Sequence, residues 1–185
     1  MLWQHSKLTL PQSTAHMSEV YLFQYSTWSH HSLGFYQDGH ITEFTYGDWQ
    51  LFALDQRDLL TAVKNMVFLT QGALGRKTIK WHPGQPLCRH FRNCQQIVPF
   101  FAPTKKMHAL KDTLDQTYEN GKASEVYNEG EDVNFVKYPI PYWLFHNCNH
   151  ELVRWLALLG CKVSGRILFK PDLITGMVPR LDCIY

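Results

Sequence analysis

An Asp-Gly pair at positions 38 and 39 separates two stretches that are rich in aromatic and β-branched residues. Glycine readily adopts the positive φ angle that a tight β-turn requires, so the pair is a strong hairpin signal. We therefore predict a hairpin formed by residues 31–37 and 40–46. Residues 20–25 have a similar composition and predict another strand just before it. Short connections of this kind favour an antiparallel sheet.

Apolar residues recur at helical spacing in three segments, each with its own start and stop signals. Asp55 is a candidate N-cap for the first helix and Thr104 for the second, while Asn147 opens the third. Glycine follows each segment, as is common at helix C-termini. The predicted helices span residues 56–70, 104–119 and 147–159.

The other segments predict short strands and irregular connections. Residues 82–103 contain four of the nine prolines and predict a loop, and the last fifteen residues predict irregular structure. Separate helices and hairpin-connected strands together indicate an α+β fold, in which an antiparallel sheet packs against helices. We expect a flexible N-terminal tail over 1–17 and one domain over 18–185. Further strands are predicted at 76–81, 133–138 and 163–170.

Composition excludes several classes of protein. The chain has 185 residues, of which 45% are hydrophobic and 18% charged, so it is long and apolar enough to bury a core. A net charge of +2 argues against nucleic acid as a partner. The best apolar stretch, residues 59–69, is far shorter than the ~20 residues of a membrane-spanning helix. We therefore expect no transmembrane segment.

The number of cysteines and the N-terminal sequence indicate the cellular compartment of the protein. The first sixteen residues contain no apolar core of the kind found in a secretory leader. The five cysteines are an odd number, which argues against a closed disulfide framework. We therefore predict free thiols and a cytoplasmic location.

The chemistry-bearing feature is Cys148, which lies at the start of the third predicted helix. Unpaired backbone N–H groups and the positive end of the helix dipole lower the pKa of a thiol placed there. The same N–H groups can stabilise the oxyanion of a carbonyl group under attack. Asn147 and His150 flank the thiol and are candidate oxyanion or substrate contacts. The alternative is that Cys148 is a small buried packing residue.

A thiol nucleophile needs a base, and His31 at the start of the predicted hairpin is the candidate. Glu43 on the return strand would orient the imidazole, but only in one register. With a three-residue turn, Glu43 pairs with Leu33 and shares the face of His31. With a two-residue Asp38-Gly39 turn, it pairs with Gly34 and points away. Both alternatives remain open from sequence.

The segment from Asn147 to Val153 resembles the Asn-Cys-Glu-His-Phe-Val segment of the lecithin:retinol acyltransferase-like proteins. Those proteins belong with the NlpC-type thiol hydrolases in a permuted papain-like fold. The chain is also similar to an uncharacterised bacterial branch with a His…Glu-Phe-x-x-Gly-Asp…Asn-Cys-Asn pattern, which residues 43–48 and 147–149 fit. The resemblance covers mainly residues 20–70 and 140–162.

This resemblance implies a hydrolase or acyltransferase that acts on an amide or ester. Cys148 would attack the carbonyl carbon, His31 would accept and later return the proton, and Glu43 would hold the ring. Glu43 stands where the acyltransferases usually have a histidine, so the substrate does not carry over. Trp28 and Tyr46 lie near the site in sequence and could line a substrate groove. The rival interpretation is a non-catalytic interaction or assembly protein, which would bind a protein partner.

A metal site is the remaining alternative, and we expect no cofactor. His146, Cys148 and His150 alternate, but side chains two apart on a helix point to different faces. The proline-rich loop supplies four soft ligands whose spacing does not match a zinc-finger knuckle. Those four candidate zinc ligands are His82, Cys88, His90 and Cys94.

Overall fold

The computed structural model describes residues 7–11, 16–26, 30–56, 68–164, 174–175 and 181–183. The two α-helices in these ranges are α1 (Thr104–Asn120) and α2 (Cys148–Leu158). The strands, in chain order, are β1 (Lys7–Thr9), β2 (Met17–Tyr25), β3 (His31–Gln37), β4 (His40–Asp48), β5 (Thr70–Lys80), β6 (Cys94–Pro103), β7 (Val126–Asn128), β8 (Val133–Tyr142), β9 (Lys162–Ser164), β10 (Ile174–Thr175) and β11 (Leu181–Asp182).

Eight of these strands form one antiparallel sheet in the order β11-β6-β2-β3-β4-β5-β8-β7. The predicted α+β class is therefore confirmed. None of the helices in the described ranges combines the length and the apolar composition needed to cross a bilayer.

The β3–β4 hairpin has the turn that the Asp-Gly pair predicts. Gln37 pairs with His40, so the connection contains two residues, Asp38 at φ 50° and Gly39 at φ 75°. Positive φ at both positions matches the right-handed twist of the flanking strands. This turn fixes the register of the whole hairpin.

The two faces of the large sheet are covered differently. Helix α1 packs on β2 and β6, and α2 packs on β3 and β4. Their apolar faces bury Leu33, Phe44 and Trp155 in the main core. The opposite face carries a second core beneath the segment between β5 and β6. The members of this second core are Tyr21, Phe23, Ile41, Trp81, Leu87, Phe91, Cys94, Ile97 and Cys183.

Part of the expected N-terminal tail belongs to the fold. Residues 7–9 form β1, which pairs with β9 and β10 in a small separate sheet. Leu8 is 3% exposed and lies in the main core. The polar composition of residues 1–16 gave no strand signal. The pairing partners of β1 also lie more than 150 residues away in sequence, so no local pattern indicated them. Residues 1–6 and 12–15 lie outside the described ranges.

The region around β5 differs from the sequence expectation. Thr70, the predicted end of a helix, begins β5, and residues 57–67 of that helix lie outside the described residues. Gly72 does not end a helix but pairs with Tyr138 inside the sheet. A Cβ atom there would lie 2.2 Å from the carbonyl oxygen of Ile140. Glycine is therefore required by a close backbone approach.

The predicted loop 82–103 also contains an extended strand. Residues 94–103 form β6, which pairs along almost its whole length with β2. Pro99 and Pro103 made the segment resemble a loop, because proline cannot donate a ladder hydrogen bond. In contrast, α1 and α2 lie where helical spacing predicted them. Thr104 is the first residue of α1, and no side chain caps that end.

Candidate functional site

Asn147 caps helix α2 and sets the position of the thiol that follows it. Its Oδ1 atom accepts hydrogen bonds from the backbone N–H groups of Asn149 at 3.0 Å and His150 at 3.4 Å. The Asn147 backbone N–H donates in turn to His150 Nδ1 at 3.4 Å. This reciprocal arrangement is a capping box, which satisfies donors that a helix start leaves unpaired. Asn147 and His150 thus have structural roles next to Cys148.

Cys148 is the first residue of α2 and is half-buried against the main core. Burial raises the pKa of the thiol to about 11. Hydrogen bonding by the Tyr142 hydroxyl group and by the backbone N–H groups of Asn149 and Cys148 acts in the opposite direction and lowers the pKa. The pKa lowering expected from the helix start is therefore wrong as a net effect. Desolvation outweighs the hydrogen bonds.

His31 lies on the sheet face that α2 covers. It pairs with Gln24 at the start of β3 and is 3% exposed. Side chains alternate along a strand, so His31 shares its face with Leu33 and Phe35, both members of the main core. The sheet therefore brings His31 and Cys148 to the same side of the molecule.

Glu43 lies on the other face. It pairs with Gly34, as the two-residue turn requires, so the condition under which it would orient His31 is not met. Its Oε1 atom accepts hydrogen bonds from the hydroxyl groups of Tyr25, at 2.5 Å, and Ser32. Burial raises the pKa of this carboxyl group. The structure does not bring Glu43 together with Cys148.

Tyr46 contributes to the wall of the site around Cys148. Its hydroxyl group donates to the carbonyl oxygen of Pro141 at 3.0 Å, and its ring centroid lies 5.7 Å from that of Tyr142. Burial raises the pKa of Tyr46, and the charges of Glu151 and Cys148 raise it further. Trp28 lies outside the described residues.

The sequence interpretation missed Glu151, a buried carboxylate in the first turn of α2. Glu151 has no exposed surface and accepts hydrogen bonds from Tyr138 and Trp155, each at 2.9 Å. Arg154 and His146 place nitrogen atoms 2.5 Å and 3.3 Å from its carboxylate oxygens. Glu151 therefore ties the segment before Cys148 to the helix after it. The sequence signal that could have identified Glu151 is an acidic residue in the first turn of a predicted helix.

The zinc alternative is wrong for Cys88. Its sulfur is bonded to that of Cys183, so neither is a metal ligand and neither is the free thiol that we expected. Cys94 is buried, with its thiol donating to the carbonyl oxygen of Gln96, while His82 and His90 are exposed. The ranges that the structure describes contain no group of three or more histidine, cysteine or acidic side chains able to hold a metal ion.

The arrangement at the start of α2 can support nucleophilic chemistry. It combines a thiol, hydrogen-bonding groups that lower its pKa, and an imidazole on the same side of the sheet. Comparison with family models, curated proteins and solved structures finds no match to this chain, so any functional assignment depends on these residues.

Proposed function

We propose that the protein is a thiol-dependent hydrolase or acyltransferase that acts on an amide or ester through Cys148 and His31. A permuted papain-like fold of the NlpC type belongs to the same proposal. One observation carries it: Cys148 begins helix α2 on the sheet face that carries His31, where hydrogen bonding by the Tyr142 hydroxyl group and by backbone N–H groups lowers the pKa of the thiol. Donors of this kind stabilise negative charge on sulfur and on a nearby oxyanion.

In the proposed reaction, His31 takes the proton from the Cys148 thiol as the sulfur attacks the carbonyl carbon. The carbonyl oxygen becomes an oxyanion, which the backbone N–H group of Cys148 stabilises, while those of Asn149 and His150 are held by the Asn147 cap. Collapse of this intermediate breaks the bond to the amine or alcohol, which takes the proton from His31. Water or a second acceptor then attacks the thioester and releases the acyl group, and Cys148 regains its proton.

The resting thiol is protonated at neutral pH, because burial raises its pKa to about 11. The proposed enzyme therefore removes the proton during attack and does not depend on a preformed thiolate. Glu43 has no part in this mechanism, because it lies on the opposite face of the sheet.

An activated ester tests the proposal directly. We expect p-nitrophenyl acetate to release nitrophenol in a burst of one equivalent and to acetylate Cys148, as located by peptide mass spectrometry. Cys148→Ala abolishes the burst and the adduct. His31→Gln slows acylation by about 10²–10⁴-fold, the usual loss of a general base. Acetylation of the native protein only at lysines, with Cys148 unmodified, rejects the proposal.

The second candidate is a non-catalytic interaction or assembly protein that keeps the fold. The raised pKa of Cys148 favours it, because a thiol selected for packing has no need of thiolate character. The two candidates differ in the His31→Gln variant. A non-catalytic protein shows the same slow acetylation with and without the imidazole.

The Cys88–Cys183 disulfide bears on the proposed location of the protein. A cytoplasmic location, as the N-terminal sequence predicts, requires the Cys88–Cys183 disulfide to persist in a reducing environment. Disulfides of this kind are typical of oxidising compartments. The disulfide therefore favours an oxidising compartment over the cytoplasm.

A further inference from the structure

A small chamber lies on the sheet face opposite Cys148, behind the start of β3. Its volume of about 20 Å³ exceeds the roughly 10–15 Å³ that one water molecule needs. Phe52 and Phe135 form apolar walls. The polar lining residues are Tyr25, His30, Glu43, Thr45 and Glu131.

Glu43 brings one unsatisfied oxygen atom to this chamber. Its Oε1 atom accepts from both Tyr25 and Ser32, whereas its Oε2 atom is buried and has no hydrogen-bond partner. The side chain is 2% exposed, although the chamber itself is partly open to solvent. A buried carboxyl oxygen without a partner costs free energy unless another molecule binds to it.

His30 brings the second unsatisfied atom. It is 6% exposed, and its Nε2 atom forms a hydrogen bond with the hydroxyl group of Thr45. The ring lies 4.8 Å from that of Phe52, centroid to centroid, which holds it against the chamber wall. Its Nδ1 atom is buried and has no hydrogen-bond partner.

We propose that this chamber binds a single water molecule that bridges Glu43 Oε2 and His30 Nδ1. The ligand must be as small as water, and it must be able both to donate and to accept. When Glu43 is ionised, the water donates to Oε2 and accepts from the Nδ1–H group of His30. Thr45 then donates to Nε2. A metal cation does not fit, because the described residues here do not supply a group of three histidine, cysteine or acidic side chains that could hold one.

Protonation of Glu43 reverses the direction of these hydrogen bonds. The Oε2–H group then donates to the water, which donates to a bare Nδ1 atom, and Nε2–H donates to Thr45. One proton is added to Glu43, and neutral His30 exchanges one ring proton for another. The tautomer of His30 therefore reports the ionisation state of Glu43. Burial and the neighbouring His31 both lower the pKa of His30, to about 3, so its ring stays neutral throughout.

Several other groups set the pH at which Glu43 takes up its proton and the His30 tautomer changes. Burial raises the pKa of Glu43, whereas the hydrogen bonds from Ser32 and Tyr25 lower it. Lys77 on β5 lowers it, and Glu131, in the turn between β7 and β8, raises it. Cys94 on β6 keeps its proton, because burial raises the pKa of its thiol to about 12.

Nitrogen-15 NMR of histidine-labelled full-length protein tests the proposal, with pH as the variable. We expect the His30 signals to change from the Nδ1–H to the Nε2–H tautomer as Glu43 takes up its proton. A cross-peak should connect the ring N–H to a long-lived internal water. Glu43→Gln, which has nearly the same shape, should abolish the pH dependence. Ser32→Ala removes only a partner of Oε1, so the change should persist with its midpoint shifted to higher pH.

Two results overturn the proposal. One is a His30 tautomer that changes with pH in Glu43→Gln as it does in the unmodified protein. The other is the absence of a water cross-peak in folded protein at a pH where the ring N–H signal is sharp. Neither result depends on catalysis by Cys148, so the thiol mechanism is tested separately.

Discussion

Hydrogen bonding by the hydroxyl group of Tyr142 lowers the pKa of the Cys148 thiol across the turn that joins β8 to α2. Burial raises the pKa of both groups. The pKa of Tyr142 lies well above its ordinary value, so the phenol remains a donor at neutral pH. The thiol therefore has a fixed donor beside it when it loses its proton.

Replacement of Tyr142 by phenylalanine should make Cys148 less acidic. The hydrogen bond stabilises the thiolate, so its loss raises the pKa of Cys148 further. A hydrogen bond to a charged group is worth about 1.5–3 kcal/mol, which corresponds to a pKa increase of roughly one to two units. The measurement is the rate of iodoacetamide alkylation at Cys148 as a function of pH, followed by mass spectrometry.

Tyr138→Phe is the matched control for this prediction. The hydroxyl group of Tyr138 donates to Glu151. The Tyr138 ring lies in the same aromatic cluster, with its centroid 5.3 Å from that of Tyr46. The Cys148 pKa should change much less in this variant. Equal pKa changes in the two variants contradict a specific role for Tyr142.

The unmodified protein should itself show a slow and strongly pH-dependent thiol. With a pKa of about 11, the thiolate fraction at pH 8 is about one in a thousand. The alkylation rate of Cys148 should therefore rise about tenfold per pH unit from pH 7 towards pH 10. A plateau below pH 8 means that the thiolate is stabilised beyond what these contacts supply. The urea-unfolded protein, whose thiol is exposed, provides the reference rate.

Local signals in the sequence predicted the parts of the fold that depend on local chemistry. The Asp38-Gly39 turn and the Asn147 cap each involve neighbours within a few residues, and both are present. The face of the sheet on which Glu43 lies depended on whether the turn contains two or three residues, because a one-residue shift moves a side chain to the other face. Sequence alone left that register open.

Other features depend on packing that local sequence patterns do not reveal. Tyr142 reaches Cys148 because β8 continues through Pro139 and Pro141. The Cys88–Cys183 disulfide joins residues 95 apart in sequence. Desolvation of Cys148 depends on the packed core around it, so the sequence indicated the direction of the dipole effect but not the larger opposing effect.

Asn147→Ala should destabilise the protein by about 1 kcal/mol, the usual cost of a lost N-cap. The alanine leaves the N–H groups of Asn149 and His150 without the Oδ1 acceptor. Asn147→Asp is the control, because aspartate caps as well as asparagine does. Urea unfolding of the three proteins measures the difference. Equal loss of stability in both variants contradicts a capping role.

The Cys88–Cys183 disulfide predicts a definite thiol count. Protein purified without reductant and unfolded in guanidinium should react with three equivalents of Ellman's reagent, at Cys94, Cys148 and Cys161. Cys88→Ser should instead give four, because Cys183 is released. The disulfide joins the residue after β11 to the segment between β5 and β6, and its loss should lower stability by about 2–4 kcal/mol in chemical unfolding. Five reactive thiols in the unmodified protein would mean that the disulfide does not form, and the preference for an oxidising compartment would then be withdrawn.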